Sequence, residues 1–396
     1  MVGLGSALEV TPEAFGDHAG PLFAHPGSPP WSPRAFGGMA FDLETADPSD
    51  EPWQDFPASR FFVPRWLYLD DRRMPRLIFH ATQEDLDHTE KIEDEWKRLC
   101  AHLLAGTTSA RQNPCRSTEE VTTSERWHEA VASIQREIAA GRSSKIVAAR
   151  CTRVTFARKP DLAPVLRRLR SAASGCTRFA FRFGESIFLG GSPERLVRRC
   201  GLEVESEALA GSSILSSTRS ETPSVDLSED SLQAKELLGN AKDRNEHALV
   251  VRAIRNALID YCSSVECPDE PQVRALRHLL HLRTPIRGRL RRPFHVVEVL
   301  RAIHPTPAVG GVPRDHAMTW IREHEDLPRG WYAAPVGWFN GIGEGDFSVG
   351  LRSALIKGPT AWIFAGAGIV ADSDPEHEDR EVSSKQRAML TALRNR

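Results

Sequence analysis

The apolar positions change period several times along this chain, and each change predicts a different element. From Met1 to about Leu104 they fall in short alternating runs, such as GGMAFDLE and RFFVPRWLYLD, separated by clusters rich in Pro, Gly and Trp. Alternation between turn-forming clusters predicts strands and a β-rich first half. Ala105 to Glu125 is polar, lacks any period and contains Pro114, which marks a linker. From Trp127 the spacing becomes helical: Trp127, Val131, Ile134 and Ile138 share a face, and Gly141 supplies a stop.

A strand is expected from Lys145 to Val154. Phe179, Phe181 and Phe183 then alternate with Ala180 and Arg182, Gly184-Glu185 turns the chain, and Ile187 to Leu189 returns, which predicts a hairpin. A second turn at Cys200-Gly201 leads into LEVESEA, where Leu202 and Val204 alternate with glutamates, the pattern of an edge strand with one wet face. Ser228 to Tyr261 reads as helix broken near Gly239, with a stripe from Leu249 to Tyr261. Another helix should follow Pro313, a residue tolerated in a first turn. The last third predicts a meander of Trp331–Trp338, Phe347–Ile356 and Ala361–Val370, joined by glycine turns and followed by a terminal helix. Antiparallel runs interleaved with helices indicate an α+β fold.

Composition narrows the functional classes. A chain of 396 residues, 40% hydrophobic, can bury a large core. Its 51 Lys and Arg nearly cancel 53 Asp and Glu, so no global basic field would draw nucleic acid or an anionic membrane. Any anion must be met locally. The seven scattered cysteines include no CxxC pair, which argues against a disulfide frame and a zinc site and for a reducing compartment. Without a basic leader before an apolar run, or an apolar stretch of membrane-spanning length, the expectation is a soluble cytoplasmic protein.

Several residues carry candidate chemistry. Glu246, in KDRNEH, precedes Val250 on the apolar side of its helix, where a carboxylate needs a metal or a partner such as Lys242. Glu378, Glu381 and Lys385 fall at i, i+3 and i+7, on one face of the terminal helix. That spacing fits a solvated face as well as a site; the glycine turn before it aims the helix start at whatever the turn cradles. Two acidic residues from separate helices beside glycine backbone suit a hard divalent cation. GAGIVA at Gly366 matches a loose dinucleotide fingerprint, but too little chain follows for a βαβ unit.

Lys145 opens a strand on the same face as Val147 and Ala149: either it snorkels to water, or in a dry cleft it becomes a usable base. Glu194, after Pro193 at a hairpin end, reads on its own as solvated. Arg352, on an expected central strand, needs an anion if it points inward.

The strings KIVAAR, FLGGSPERLVRR, ALAGS, KDRNEH, HPTPAVGGVP, RGWYAAPVGW, FSVGLRSAL and AGAGIV followed by SDPEHEDREVSSK stand in the order found in the chorismate-binding enzymes, and the chain resembles their isochorismate synthase branch. The resemblance runs from about Glu125 to the C-terminus and extends weakly through GGMAFD and FVPRW. It implies a single chorismate-binding-type domain of large antiparallel β-sheets packed together and flanked by helices. Residues 126–396 would be the catalytic region and 1–104 the β-rich half of the same fold, with 105–125 between them.

It also implies roles. Lys145 would activate water and Glu194 would protonate the departing hydroxyl. Glu246 and Glu381 would hold Mg2+, with Glu378 beside them. Tyr332, Arg352 and backbone at Gly366 would take the enolpyruvyl carboxylate of chorismate, Lys385, Gly211 and Ser212 would lie near the ring carboxylate, and His281 near the ring. A lysine at 145 favours water over an amine as nucleophile, so no glutamine amidotransferase subunit is expected, and the chain is expected to be a monomer. A salicylate synthase, which also eliminates pyruvate, is the second reading, and a catalytically silent chorismate-binding protein a further one. Three positions depart from the family's usual residues: Asp379 for Trp, Ala334 for Gly and Ser212 for Thr. Asp379 would add a negative charge beside the proposed metal site.

Overall fold

Hairpin turns and short sheet-to-sheet crossings, among them those at Pro193-Glu194 and Gly350–Arg352, organise the chain. The computed structural model describes residues 1–10, 33–47, 49–70, 74–105, 113–214, 232–276 and 279–394. Among these, the strands form an eleven-stranded and a seven-stranded sheet, and the paired strands of both are antiparallel. The expected helical start at 228–231 and part of the expected linker, 106–112, lie outside the described residues.

The larger sheet begins with N-terminal strands. Arg34–Met39 pairs with Ser59–Leu69 on one side and with Pro335–Asn340 on the other, so the first half of the chain completes a sheet that the last third continues. Pro64 is tolerated inside Ser59–Leu69 because the register slips opposite it, between Ser6 and Leu8. The smaller sheet is built on Lys145–Phe156 and Thr360–Ile369, which pair along ten residues. Phe183 and Phe188 from this sheet meet Trp331 and Phe56, with Phe56 and Trp331 5.1 Å apart, in the apolar core. A second core covers the other face of the smaller sheet, where Val165 and Leu169 of the helix Leu162–Ala172 and Met389 and Leu393 of the helix Pro375–Leu393 bury Val154, Ile187 and Ile363.

Local signals explain the helix boundaries. The break near Gly239 is real: Leu232–Gly239 ends there, and Asn240 caps Ala241–Ile259 by accepting the Asp243 N–H. Asp374 caps the terminal helix in the same way, with Pro375 in its first turn. Pro313 stands one residue earlier than expected, as the cap of Arg314–His324.

The structure corrects several expectations. Thr89–Leu104 is a helix, in a half read as β-rich, and buries none of its residues. Cys115–Glu120, inside the stretch read as linker, is a strand paired with Lys145–Phe156; all six residues are exposed, so no apolar period marked it. Glu203–Ile214 is not an edge but an inner strand between Arg195–Cys200 and Leu279–Leu290, and Glu207, read as part of a wet face, is buried.

The expected strand Phe347–Ile356 is two strands. Gly345–Val349 belongs to the larger sheet and Ser353–Lys357 to the smaller, and the crossing is made at Gly350–Arg352, where Arg352 has φ of 48°. No helix among the described residues is long and apolar enough to cross a membrane.

Candidate active site

A cavity of 430 Å3 is walled by residues of both sheets, the helix Ala241–Ile259 and the terminal helix, within the range of about 300–1,000 Å3 usual for small-molecule sites. Of the twelve residues singled out from sequence, eleven line it: Glu194, Gly211, Ser212, Glu246, His281, Tyr332, Arg352, Gly366, Glu378, Glu381 and Lys385. Lys145 does not. It is fully buried directly behind the wall, with its Nζ 2.8 Å from Glu246 Oε1. Gly368 forms the wall in front of it, and a Cβ there would come within 2.5 Å of Lys145 Cε and 2.7 Å of Glu246 Oε1.

Lys145 is therefore dry and partnered, not snorkelling. Its partner also settles the alternative for Glu246: Lys242, one turn earlier, instead donates to Glu378 at 2.9 Å. Lys385 completes the pattern by binding Glu381 and donating to the Gly366 carbonyl at 2.8 Å. Glu246, Glu378 and Glu381 thus each have their own ammonium partner, which offsets the desolvation that a buried charge suffers.

Electrostatics separates the acids. Burial pushes the Glu194 carboxyl up, the nearby Glu207 charge pushes it further, and it reaches about 8 despite Lys145, Lys385 and Arg274. Its Oε1 has no hydrogen-bond partner among the described residues. Glu194 is thus a buried, protonated acid at neutral pH, the opposite of the solvated residue expected from its position alone. Burial also raises Glu381, but Lys385, the Ser212 hydroxyl and His281 outweigh it and bring the carboxyl down to about 2. Two carboxyls in one cavity are held in opposite protonation states, the separation that lets an acid and an anion-binding group coexist.

At the other end lie the groups suited to an anionic ligand. The Arg352 guanidinium approaches His281 Nε2 at 3.2 Å, and burial followed by the Arg352 charge depresses His281 to about 3, so its imidazole stays neutral. Tyr332 stacks on Phe364 with ring centroids 5.2 Å apart, and burial raises its hydroxyl above the ordinary phenol range. A Cβ on Gly366 would meet that hydroxyl at 3.2 Å, so glycine keeps the backbone open beside it. Gly366 lies inside Thr360–Ile369, antiparallel to its neighbours, which excludes the dinucleotide reading.

The donor set fits a hard divalent cation. His377, Glu378 and Glu381 bring one ligand atom each within 4.8 Å of one another, and carboxylate oxygens are what Mg2+ prefers. Glu246 lies in the same cavity but is turned to Lys145.

Sequence reasoning missed several contributors. Asp243 lines the cavity, and burial and then Glu246 raise its carboxyl to about 6. Arg329 donates to the carbonyls of Val309 and Val147 at 2.6 and 2.8 Å, tying the HPTPAVGG loop to the strand that carries Lys145. KDRNEH and RGWYAAP contain both residues, and helical spacing could have flagged Asp243 one turn before Glu246; nothing local marked Arg329. Asp379 turns away from the cavity and pairs with buried Arg150, which also binds Glu120, so its charge is neutralised on the far side of the helix.

Comparison with known proteins bears on the family of the whole chain. Residues 23–394 match the family described as chorismate binding enzyme. The chain is 39% identical over 377 residues to the salicylate biosynthesis isochorismate synthase of Pseudomonas aeruginosa, covering 92% of this chain and 75% of that one. It is 34% identical to the isochorismate synthase MenF of Bacillus subtilis, covering 91% and 74%. Among solved structures, the menaquinone-specific isochorismate synthase MenF of Escherichia coli superposes with a TM-score of 0.72 at 29% identity, over 91% of this chain and 79% of that one. Anthranilate synthase component I of Streptococcus pneumoniae shares the fold, with a TM-score of 0.73 at 22% identity over 91% and 81%. With nearly its whole length matched, and with the cavity residues just described in the matched region, this chain belongs to the chorismate binding enzyme family.

Proposed function

We propose that this chain is an isochorismate synthase, an isomerase that adds water at C2 of the chorismate ring while the C4 hydroxyl leaves. The observation that carries the reading is the pairing of a buried, protonated Glu194 with a buried Lys145 beside one cavity that also holds anion-binding groups. Hydroxide leaves poorly without a proton, which Glu194 gives; water attacks poorly without a base, for which Lys145 stands ready. Glu246, 2.8 Å from the Lys145 Nζ, holds the lysine in place beside the cavity.

Arg352, Tyr332 and the backbone at Gly366 bind the enolpyruvyl carboxylate, while Lys385, Gly211 and Ser212 lie against the ring carboxylate and neutral His281 against the ring. Glu246, Glu378 and Glu381 would hold Mg2+, with His377 adjacent, and a bound cation neutralises the ring carboxylate. The enzyme acts as a cytoplasmic monomer and needs no glutamine amidotransferase subunit.

Incubating the protein with chorismate and Mg2+ and identifying products by mass and absorbance tests the reading. The expected result is a chorismate and isochorismate mixture, with activity lost in excess chelator. A coupled lactate dehydrogenase assay should detect little pyruvate. Pyruvate released as fast as chorismate disappears would make the chain a salicylate synthase, and an ammonium-dependent amino product would place it with the amine-using enzymes.

A further inference from the structure

Glu207 lies outside the wall of the cavity, yet it reaches the backbone that presents Glu194. Its Oε1 accepts the Arg195 N–H at 2.9 Å and Arg274 Nη1 at 3.1 Å, and its Oε2 accepts Arg283 Nε at 2.6 Å. Arg274 Nη1 also donates to the Pro193 carbonyl at 2.7 Å, and its Nη2 to the Gly175 carbonyl at 2.8 Å. The Pro193 carbonyl and the Arg195 N–H belong to the residues on either side of Glu194. Glu194 itself is held by Ser192 Oγ on its N–H at 3.2 Å and by the Val349 N–H on its carbonyl at 3.1 Å. Its backbone is held from several directions, whereas one carboxyl oxygen has no partner.

We propose that Glu207 is a positioning residue for Glu194: together with Arg274 it locks the backbone on both sides of the acid and keeps a negative charge behind it. The proposal rests on reading Glu194 as the proton donor.

The charge and the clamp act in the same sense. A like charge nearby favours the neutral carboxyl, and a fixed backbone aims it at the departing hydroxyl. The charged groups that act on Glu194 come from four elements. Glu207 projects from Glu203–Ile214, Arg274 from Gln272–Ala275, Lys145 from Lys145–Phe156 and Lys385 from the terminal helix. The three cations favour ionisation, and Glu207 opposes them. On the adjoining Gly345–Val349, Asp346 is bound by Arg195 at 3.2 Å.

Two variants with opposite expected effects test this. Glu207→Gln removes the opposing charge and leaves Arg274 and Arg283 uncompensated. The basic limb of the kcat profile should then move down by roughly one unit, which lowers kcat about fivefold at pH 8 and leaves it nearly unchanged at pH 6. The KM for chorismate should stay within about twofold, because Glu207 does not line the cavity. Arg274→Gln removes a cation and should move the limb upward.

Infrared titration of the Glu194 carboxyl, assigned by subtraction of a Glu194→Gln spectrum, reads the same shifts without turnover. Equal thermal destabilisation of both variants with no opposed shift in either titration would make Glu207 a packing residue and overturn the proposal. Opposed infrared shifts with an unchanged rate profile would support the role of Glu207 and refute Glu194 as the proton donor. If Glu207→Gln does not fold, Glu207→Asp, which keeps the charge, should keep the limb in place, while Arg274→Gln still shifts it upward. Loss of either result overturns the proposal.

Discussion

A carboxylic acid held neutral at pH 7 disfavours folding, and Glu194 is such a group. Its folded value, about 8, lies above the ordinary 4.5, so the folded state binds a proton that the unfolded chain has released. The stability it contributes is fully present below pH 4.5 and is lost as the pH rises through about 8. Glu194→Gln removes the titration. We expect the variant to be inactive yet more stable than the natural chain, by about 3 kcal/mol at neutral pH and by nothing at pH 4. Urea unfolding at the two pH values checks the sign; equal midpoints at pH 7 would mean that Glu194 is not protonated there. Around this acid, Lys145, Lys242 and Lys385 pair with Glu246, Glu378 and Glu381, and for Glu381 the lysine does the converse work and holds the carboxyl down at about 2.

At the scale of elements, the site depends on how closely a strand and a helix approach. Gly368, on Thr360–Ile369, lies where a side chain would strike both Lys145 on the neighbouring strand and Glu246 on the helix Ala241–Ile259. Gly368→Ala should keep the fold, since its φ is not among the positive ones, but separate or displace the ion pair. Displacement of a catalytic group by about 1 Å costs on the order of a hundredfold in rate. We expect kcat to fall by about that factor with Tm lowered by only a few degrees; an unchanged kcat would place Lys145 outside the chemistry. The crossing at Gly350–Arg352 acts at the same scale. By passing from one sheet to the other in a left-handed turn, the chain delivers Arg352 to the cavity instead of to the middle of a strand.

For the molecule as a whole, buried neutral histidines set the response to acid. Burial holds His247 and His295 near 4 and His281 and His304 near 3, well below the ordinary 6.5. Folded values below the unfolded one mean that the unfolded chain takes up protons first. The stability these groups contribute is therefore present above pH 6.5 and is lost as pH falls toward 4 and then 3. Each is worth up to about 1.4 kcal/mol per pH unit in that window. Glu194 and Asp243, raised by burial to about 8 and about 6, and Asp346, also raised by burial, act with the opposite sign, but three groups do not cancel four. Denaturant midpoints measured from pH 7 to pH 4 should therefore fall steadily. A flat profile would mean that the histidines are already charged in the folded protein.

How much of this the chain revealed on its own depended on distance along the sequence. Local interactions set the helices at Trp127, Ala241 and Pro375 and the hairpin through Gly184, because apolar period, a capping side chain and a positive-φ glycine act within a few residues. They also grouped Glu378, Glu381 and Lys385 on one face, since the helical repeat alone brings them together. What only the tertiary structure decided was the environment of each charge. Cys115–Glu120 became a strand through a partner rather than through its own pattern. Glu194 and Glu207 read as solvated from their neighbours in sequence and are buried by strands far from them. Lys145 met Glu246 rather than water, across 101 positions. Burial and ion pairing are properties of what packs against a residue, and those neighbours come from distant parts of the chain that no short-range pattern encodes.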